Sequence, residues 1–70
     1  MKRTPVSSSS LASVGYDSES QVLEIEFNTG RVYQYFDVPQ SEYDGLMAAD
    51  SHGSYFYHNV RSDNRYARIR

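Results

Sequence analysis

Few side chains in this sequence are equipped for acid–base or nucleophilic work. His52 and His58 are its only imidazoles, and cysteine is absent. Two histidines six apart do not share a helix face, and no carboxylate pair completes a metal-ligand set around them. Ser51 and His52 are chain neighbours, but a catalytic triad is defined by geometry and roles, not adjacency. No nucleophile elbow, phosphate-cradling glycine loop or dinucleotide fingerprint is present. Glu24 and Glu26 point the same way along one strand, as paired carboxylates would. On an exposed face, such acids keep a sheet soluble. The residues therefore specify no enzyme, no metal and no cofactor.

The remaining chemistry is that of binding, carried by arginine and tyrosine. Residues 51–70 hold Arg61, Arg65, Arg68 and Arg70 against Asp63, whereas residues 17–50 hold eight acids against Arg31 alone. Arginine suits two-pronged contacts to phosphate or carboxylate. Seven tyrosines help bring the aromatic content to 14%. One reading is an RNA site in the C-terminal half: Arg61, Arg65 and Arg68 meet phosphates, and an exposed Tyr57 or Tyr66 stacks on a base. The other is a protein-interaction adaptor, a monomer or weak homodimer, with tyrosine and arginine as interface anchors or an edge strand accepting a partner strand. A net charge of −2 disfavours general nucleic-acid binding and leaves both open.

Seventy residues allow one domain, which buries only about 60% of the surface its unfolded form exposes. No apolar run reaches the roughly 18 residues of a membrane span, and no hydrophobic signal core follows the basic Met1-Lys2-Arg3-Thr4-Pro5. The expectation is a soluble, cytoplasmic chain with no membrane association.

These residues need a scaffold, and Val22 to Val38 supplies its centre. Two runs rich in β-branched and aromatic residues flank Asn28-Thr29-Gly30, the signal of a three-residue hairpin loop with glycine at its third position. That loop sets Phe27 opposite Arg31, Ile25 opposite Tyr33 and Leu23 opposite Tyr35, all on one face. Tyr33 and Tyr35 are thus read as core rings with hydroxyls reaching the rim, against the alternative of an exposed stacking platform. The other face carries Glu24, Glu26, Val32, Gln34 and Phe36.

Before the hairpin, residues 1–6 read as a disordered tail, and residues 7–70 as the domain. Ala12–Asp17 alternates as a first strand, with Val14 and Tyr16 to one side. Pro39 ends the third strand. Gln40–Asp50 then has helical spacing through Tyr43, Leu46 and Met47, and Gly45 lets that helix lie close to the sheet. Gly53 is a helix stop, Ser54–Arg61 a second short helix with Phe56 and Val60 on one face, and Ser62-Asp63-Asn64 a turn. Tyr66–Arg70 is extended or frayed. The expected architecture is α+β: a three-stranded antiparallel meander sheet with two short C-terminal helices packed on one face.

The ordered set Val6-Ser7-Ser8-Ser9, Leu23-Glu24-Ile25-Glu26-Phe27, Gly30, Tyr33-Gln34-Tyr35, Val38-Pro39, Tyr43, Leu46-Met47, Ala49, Ser51, Gly53, Tyr55-Phe56 and Val60-Arg61 resembles the KTSC domain. The resemblance runs from Val6 to Ile69. Its Tyr-x-Tyr pattern falls on Tyr33 and Tyr35, and its Tyr-Phe-Asn pattern on Tyr55-Phe56, with Tyr57 where that pattern has asparagine. Gly53, Tyr33, Tyr35, Tyr55 and Phe56 are thereby implied to be structural motif residues. The family occurs as small bacterial proteins and at the C-terminus of some lysyl-tRNA synthetases. That fusion implies RNA or tRNA as the partner.

Overall fold

The computed structural model of the chain describes residues 1–61 and 64–70. The turn expected at Ser62-Asp63-Asn64 lies, apart from Asn64, outside them. Seven elements follow in order: β1 (Thr4–Pro5), β2 (Leu11–Asp17), β3 (Val22–Phe27), β4 (Val32–Tyr35), α1 (Gln40–Ala48), α2 (His52–Asn59) and β5 (Tyr66–Arg68). The strands form one antiparallel sheet in the order β1-β2-β3-β4-β5.

The central hairpin forms as its residues dictate. Phe27 N–H donates to the Arg31 carbonyl and Gly30 N–H to the Phe27 carbonyl, both at 2.9 Å. Gly30 supplies the positive φ, +94°, that closes the loop without a Cβ clash. Leu23 pairs with Tyr35 and Ile25 with Tyr33. Leu23 and Ile25 are fully buried on the helix side, with Leu11, Val14, Tyr35, Val38, Leu46, Phe56 and Val60. Register shifts between Leu11 and Ser13, and this bulge turns both Leu11 and Val14 inward although they lie three apart.

The sheet has five strands, not three. Each addition is an edge strand with exposed side chains, so neither shows the alternation by which strands are recognised. Backbone hydrogen bonds hold them instead: Val6 N–H reaches the Ala12 carbonyl at 3.1 Å, and Ile69 N–H the Val32 carbonyl at 2.8 Å. Pro5 is tolerated because it lies at an edge. Thr4 and Pro5 are thus part of the sheet, and Val6 packs against the core.

The helix boundaries shift for one local reason. Ser51 caps α2, its Oγ accepting from Ser54 N–H at 3.2 Å, so α2 starts at His52 and Gly53 lies in its first turn rather than ending α1. His52 Nδ1 lies 2.8 Å from the Leu46 carbonyl. A carbonyl only accepts, so Nδ1 donates, joining the Ala49 N–H on the Leu46 carbonyl at the end of α1. Gly45 brings α1 close to α2 rather than to the sheet, since a Cβ there would collide with the Tyr55 ring.

The opposite face also departs from expectation. Glu24 is only 6% exposed, although a solvated acid was expected there. Arg3 Nη1 contacts one carboxylate oxygen at 3.0 Å and Gln34 Nε2 the other at 2.9 Å. Glu26 accepts from Ser13 Oγ at 2.8 Å and from Arg70 Nη2 at 3.2 Å. Strand alternation fixed which face these acids occupy, but both chain ends fold back to cover it.

Candidate functional site

On the helix side, the sheet and α2 do not close completely. Between them lies a cleft of about 750 Å³ lined by Phe27, Tyr33, Tyr35, Phe56, Tyr57 and Tyr66 together with Arg31, Arg61 and small polar residues. Strand pairing explains the floor. Tyr35 sits opposite Tyr66 across β4 and β5, and opposite Leu23 across β3 and β4, so the rings of Tyr35 and Tyr66 leave the same face. Tyr66 lies 5.8 Å from both Tyr33 and Tyr35, between ring centres. Phe56 of α2 meets Tyr35 edge-on at 5.1 Å and Phe27 at 5.7 Å. Such tilted contacts suit the charge distribution of aromatic rings.

The walls are more exposed. Tyr57 and Tyr66 are 53% and 61% exposed. The Arg61 guanidinium lies over the Tyr57 ring, 4.7 Å from its centre, a cation–π contact that holds ring and charge side by side. Gly53 admits the serine segment at the cleft end, because a Cβ there would lie 2.6 Å from Ser10 Oγ.

Tyr35 is the most buried polar group of the floor, 4% exposed. Its hydroxyl finds no hydrogen-bond partner among the described residues, yet no unpartnered polar atom is sealed from solvent. The Tyr35 side chain lines the cleft. Burial pushes its pKa up to about 12, helped by Tyr33 and Tyr66 and opposed by the Arg61 charge. It is a proton donor throughout the physiological range.

Of the residues anticipated for RNA contact, Arg61, Tyr57 and Tyr66 come together here, and Arg65 and Arg68 do not. Arg65 pairs with Asp37 at 3.0 Å and lies over Phe36. Arg68 is opposite Tyr33 but turns its Nε to the Arg70 carbonyl at 3.3 Å. Among the motif residues, Tyr33, Tyr35, Phe56 and Gly53 line the cleft. Tyr55 instead joins the helices, its hydroxyl 3.4 Å from Glu42, and burial and that carboxylate raise its pKa. Arg31, Phe27, Leu11, Asn28, Thr29, Ser9 and Ser10 complete the lining without having been singled out as site residues. The hairpin register already set Arg31 and Phe27 on this face; the serines gave no signal, since a bulge and a close packing against glycine bring them in. No cluster of three or more metal-ligating side chains occurs among the described residues, and none of their helices is long and apolar enough to cross a membrane.

Comparison with known proteins follows the same geometry. The crystal structure of a KTSC domain protein from Yersinia pestis superimposes with a TM-score of 0.95 at 36% identity, covering 99% of this chain and 97% of that one. An "uncharacterized protein" of Stutzerimonas stutzeri is 46% identical over 70 residues, 99% of each chain. A lysine–tRNA ligase of Trichormus variabilis is 37% identical over 54 residues, which are 77% of this chain but 10% of the ligase. None of these similarities indicates a catalytic family. The KTSC domain model matches residues 7–66, and with the whole-chain structural likeness this establishes that the chain belongs to the KTSC domain family.

Proposed function

We propose that this chain is a non-catalytic binding module that takes single-stranded RNA, tRNA segments included, into the aromatic cleft. One observation carries the reading: two exposed rings, Tyr57 and Tyr66, stand beside Arg61 above an aromatic floor, with Arg31 also in the lining. Bases stack on such rings whatever their identity, and flanking arginines meet the backbone phosphates. Both charged residues of the lining are cations. The acids of the hairpin, Glu24 and Glu26, are engaged on the opposite face, so the net negative charge of the chain is not concentrated at the cleft. Sharing this domain with a lysine–tRNA ligase adds support from the chemistry of that relative.

The test is binding of labelled single-stranded RNA by fluorescence anisotropy. The double variant Arg31→Ala/Arg61→Ala is expected to bind about tenfold more weakly or worse while remaining folded. Two phosphate contacts predict a slope of about −1.4 for log affinity against log salt. No affinity at low salt would overturn the reading and leave the protein-interaction adaptor.

A further inference from the structure

The sheet ends in two unlike edges. At one, β1 pairs only Thr4 and Pro5 with β2, and Pro5 has no N–H to give a further strand. At the other, β5 pairs beyond its own limits: Phe36 N–H donates to the Arg65 carbonyl at 2.9 Å, and Val32 N–H to the Arg70 carbonyl at 2.8 Å. These bonds set the phase of the ladder. Arg65, Ala67 and Ile69 turn their backbone groups toward β4, so the N–H and C=O groups of Tyr66 and Arg68 point away from it. β5 is the last strand of the sheet, and no strand among the described residues meets those groups.

The side chains along this edge are exposed as well. Tyr66 and Arg68 stand on the helix side, opposite Tyr35 and Tyr33, while Ala67 and the half-exposed Ile69 face the other way. Arg65 and Arg70 have acidic partners in Asp37 and Glu26. Arg68 makes no ion pair among the described residues, and only its Nε is engaged, by the Arg70 carbonyl. A second copy fits this edge poorly. Pairing β5 with itself about Ala67 would set two Arg68 side chains diagonally across one face, and like charges so placed repel. A nucleic acid has no peptide backbone to complete the ladder.

We infer that the β5 edge docks an extended segment of another protein in which acidic and apolar residues alternate, added to the sheet as a further strand. Its acids lie on the helix side against Arg68, and its apolar residues lie beside Ala67 and Ile69. Backbone hydrogen bonds to Tyr66 and Arg68 hold the segment, and the alternation fixes its register. The edge does not depend on RNA entering the cleft.

The experiment measures, on the full chain by fluorescence anisotropy, a labelled peptide Thr-Val-Glu-Val-Glu-Val-Thr with blocked ends. The matching peptide has lysine in place of glutamate. Wild type should bind the glutamate peptide about tenfold more tightly, the swing between an attractive and a repulsive cross-strand pair. Arg68→Glu, a change at an exposed position, should reverse that order with an unchanged far-ultraviolet dichroism spectrum. A glutamate peptide N-methylated throughout keeps the side chains, loses every backbone donor and should not bind. The inference is overturned if wild type binds neither peptide at low salt or both equally. It is also overturned if Arg68→Glu leaves the order unchanged, or if the N-methylated peptide binds undiminished. Self-association abolished by the glutamate peptide's absence of effect and by Arg68→Glu would assign the edge to a second copy instead. Loss of RNA affinity in Arg68→Glu with peptide binding unchanged would assign it to nucleic acid.

Discussion

The two faces of the sheet carry different chemistry on the same strands. On β3 and β4, Leu23, Ile25, Tyr33 and Tyr35 point one way, and Glu24, Glu26, Val32 and Gln34 the other. The outer face is satisfied internally. Glu24 holds Arg3 and Gln34, and Glu26 holds Ser13 and Arg70, so its polar groups already have partners. The helix face is satisfied only where α1 and α2 cover it. Beyond their reach it keeps exposed rings and two arginines. Strand alternation divides the side chains, but what covers each face decides which one is left with binding capacity.

This contrast can be attacked from both sides. The largest effect is expected from Ile25→Ala, which opens a cavity beneath the helices: about 3 kcal/mol of stability should be lost in urea unfolding. Glu24→Ala should cost less, about 1–3 kcal/mol, because it leaves Arg3 and Gln34 without their shared partner in a mostly buried site. Its RNA affinity should match wild type, and a parallel loss of affinity would break the separation of the faces. Tyr35 sharpens the comparison through pH. Its pKa is raised in the fold from 10.0 to about 12, so folding favours the neutral phenol. That contribution is whole below about pH 10 and is lost as pH rises toward 12, on the order of 1 kcal/mol. Absorbance titration should show a tyrosine ionising at about pH 12, a step missing in Tyr35→Phe. The smallest effect belongs to Arg70→Ala, whose exposed pairing with Glu26 is expected to be worth under about 0.5 kcal/mol.

How far the sequence revealed this molecule depended on the kind of signal. The hairpin was legible because alternation and a loop glycine are local, and they fixed the pairing of Leu23 with Tyr35 in advance. The edge strands were not, because Thr4–Pro5 and Tyr66–Arg68 join through backbone hydrogen bonds that any side chain permits. Gly53 was read as a helix stop, although it lies in the first turn of α2, which the Ser51 hydroxyl starts. Glu24 was expected in water because strand period says which way a residue points and nothing about what folds over it. For the site, Tyr57, Tyr66 and Arg61 were identified as candidates from their types. Arg65 was included by charge alone, without knowledge that Asp37 lies 3.0 Å from it. The cleft itself arises from the gap between α2 and the strands, which no short stretch of sequence encodes.

Central to this account is a division of labour in which RNA touches the aromatic cleft and leaves the ion-paired face alone. Nuclear magnetic resonance of the full chain, titrated with short oligouridylate, tests it most directly. The ring signals of Tyr57 and Tyr66 and the guanidinium signal of Arg61 should move together, while the side-chain amide of Gln34, held by Glu24 on the far face, stays still. Movement of the Gln34 amide with the Tyr57 and Tyr66 rings unchanged would contradict the account.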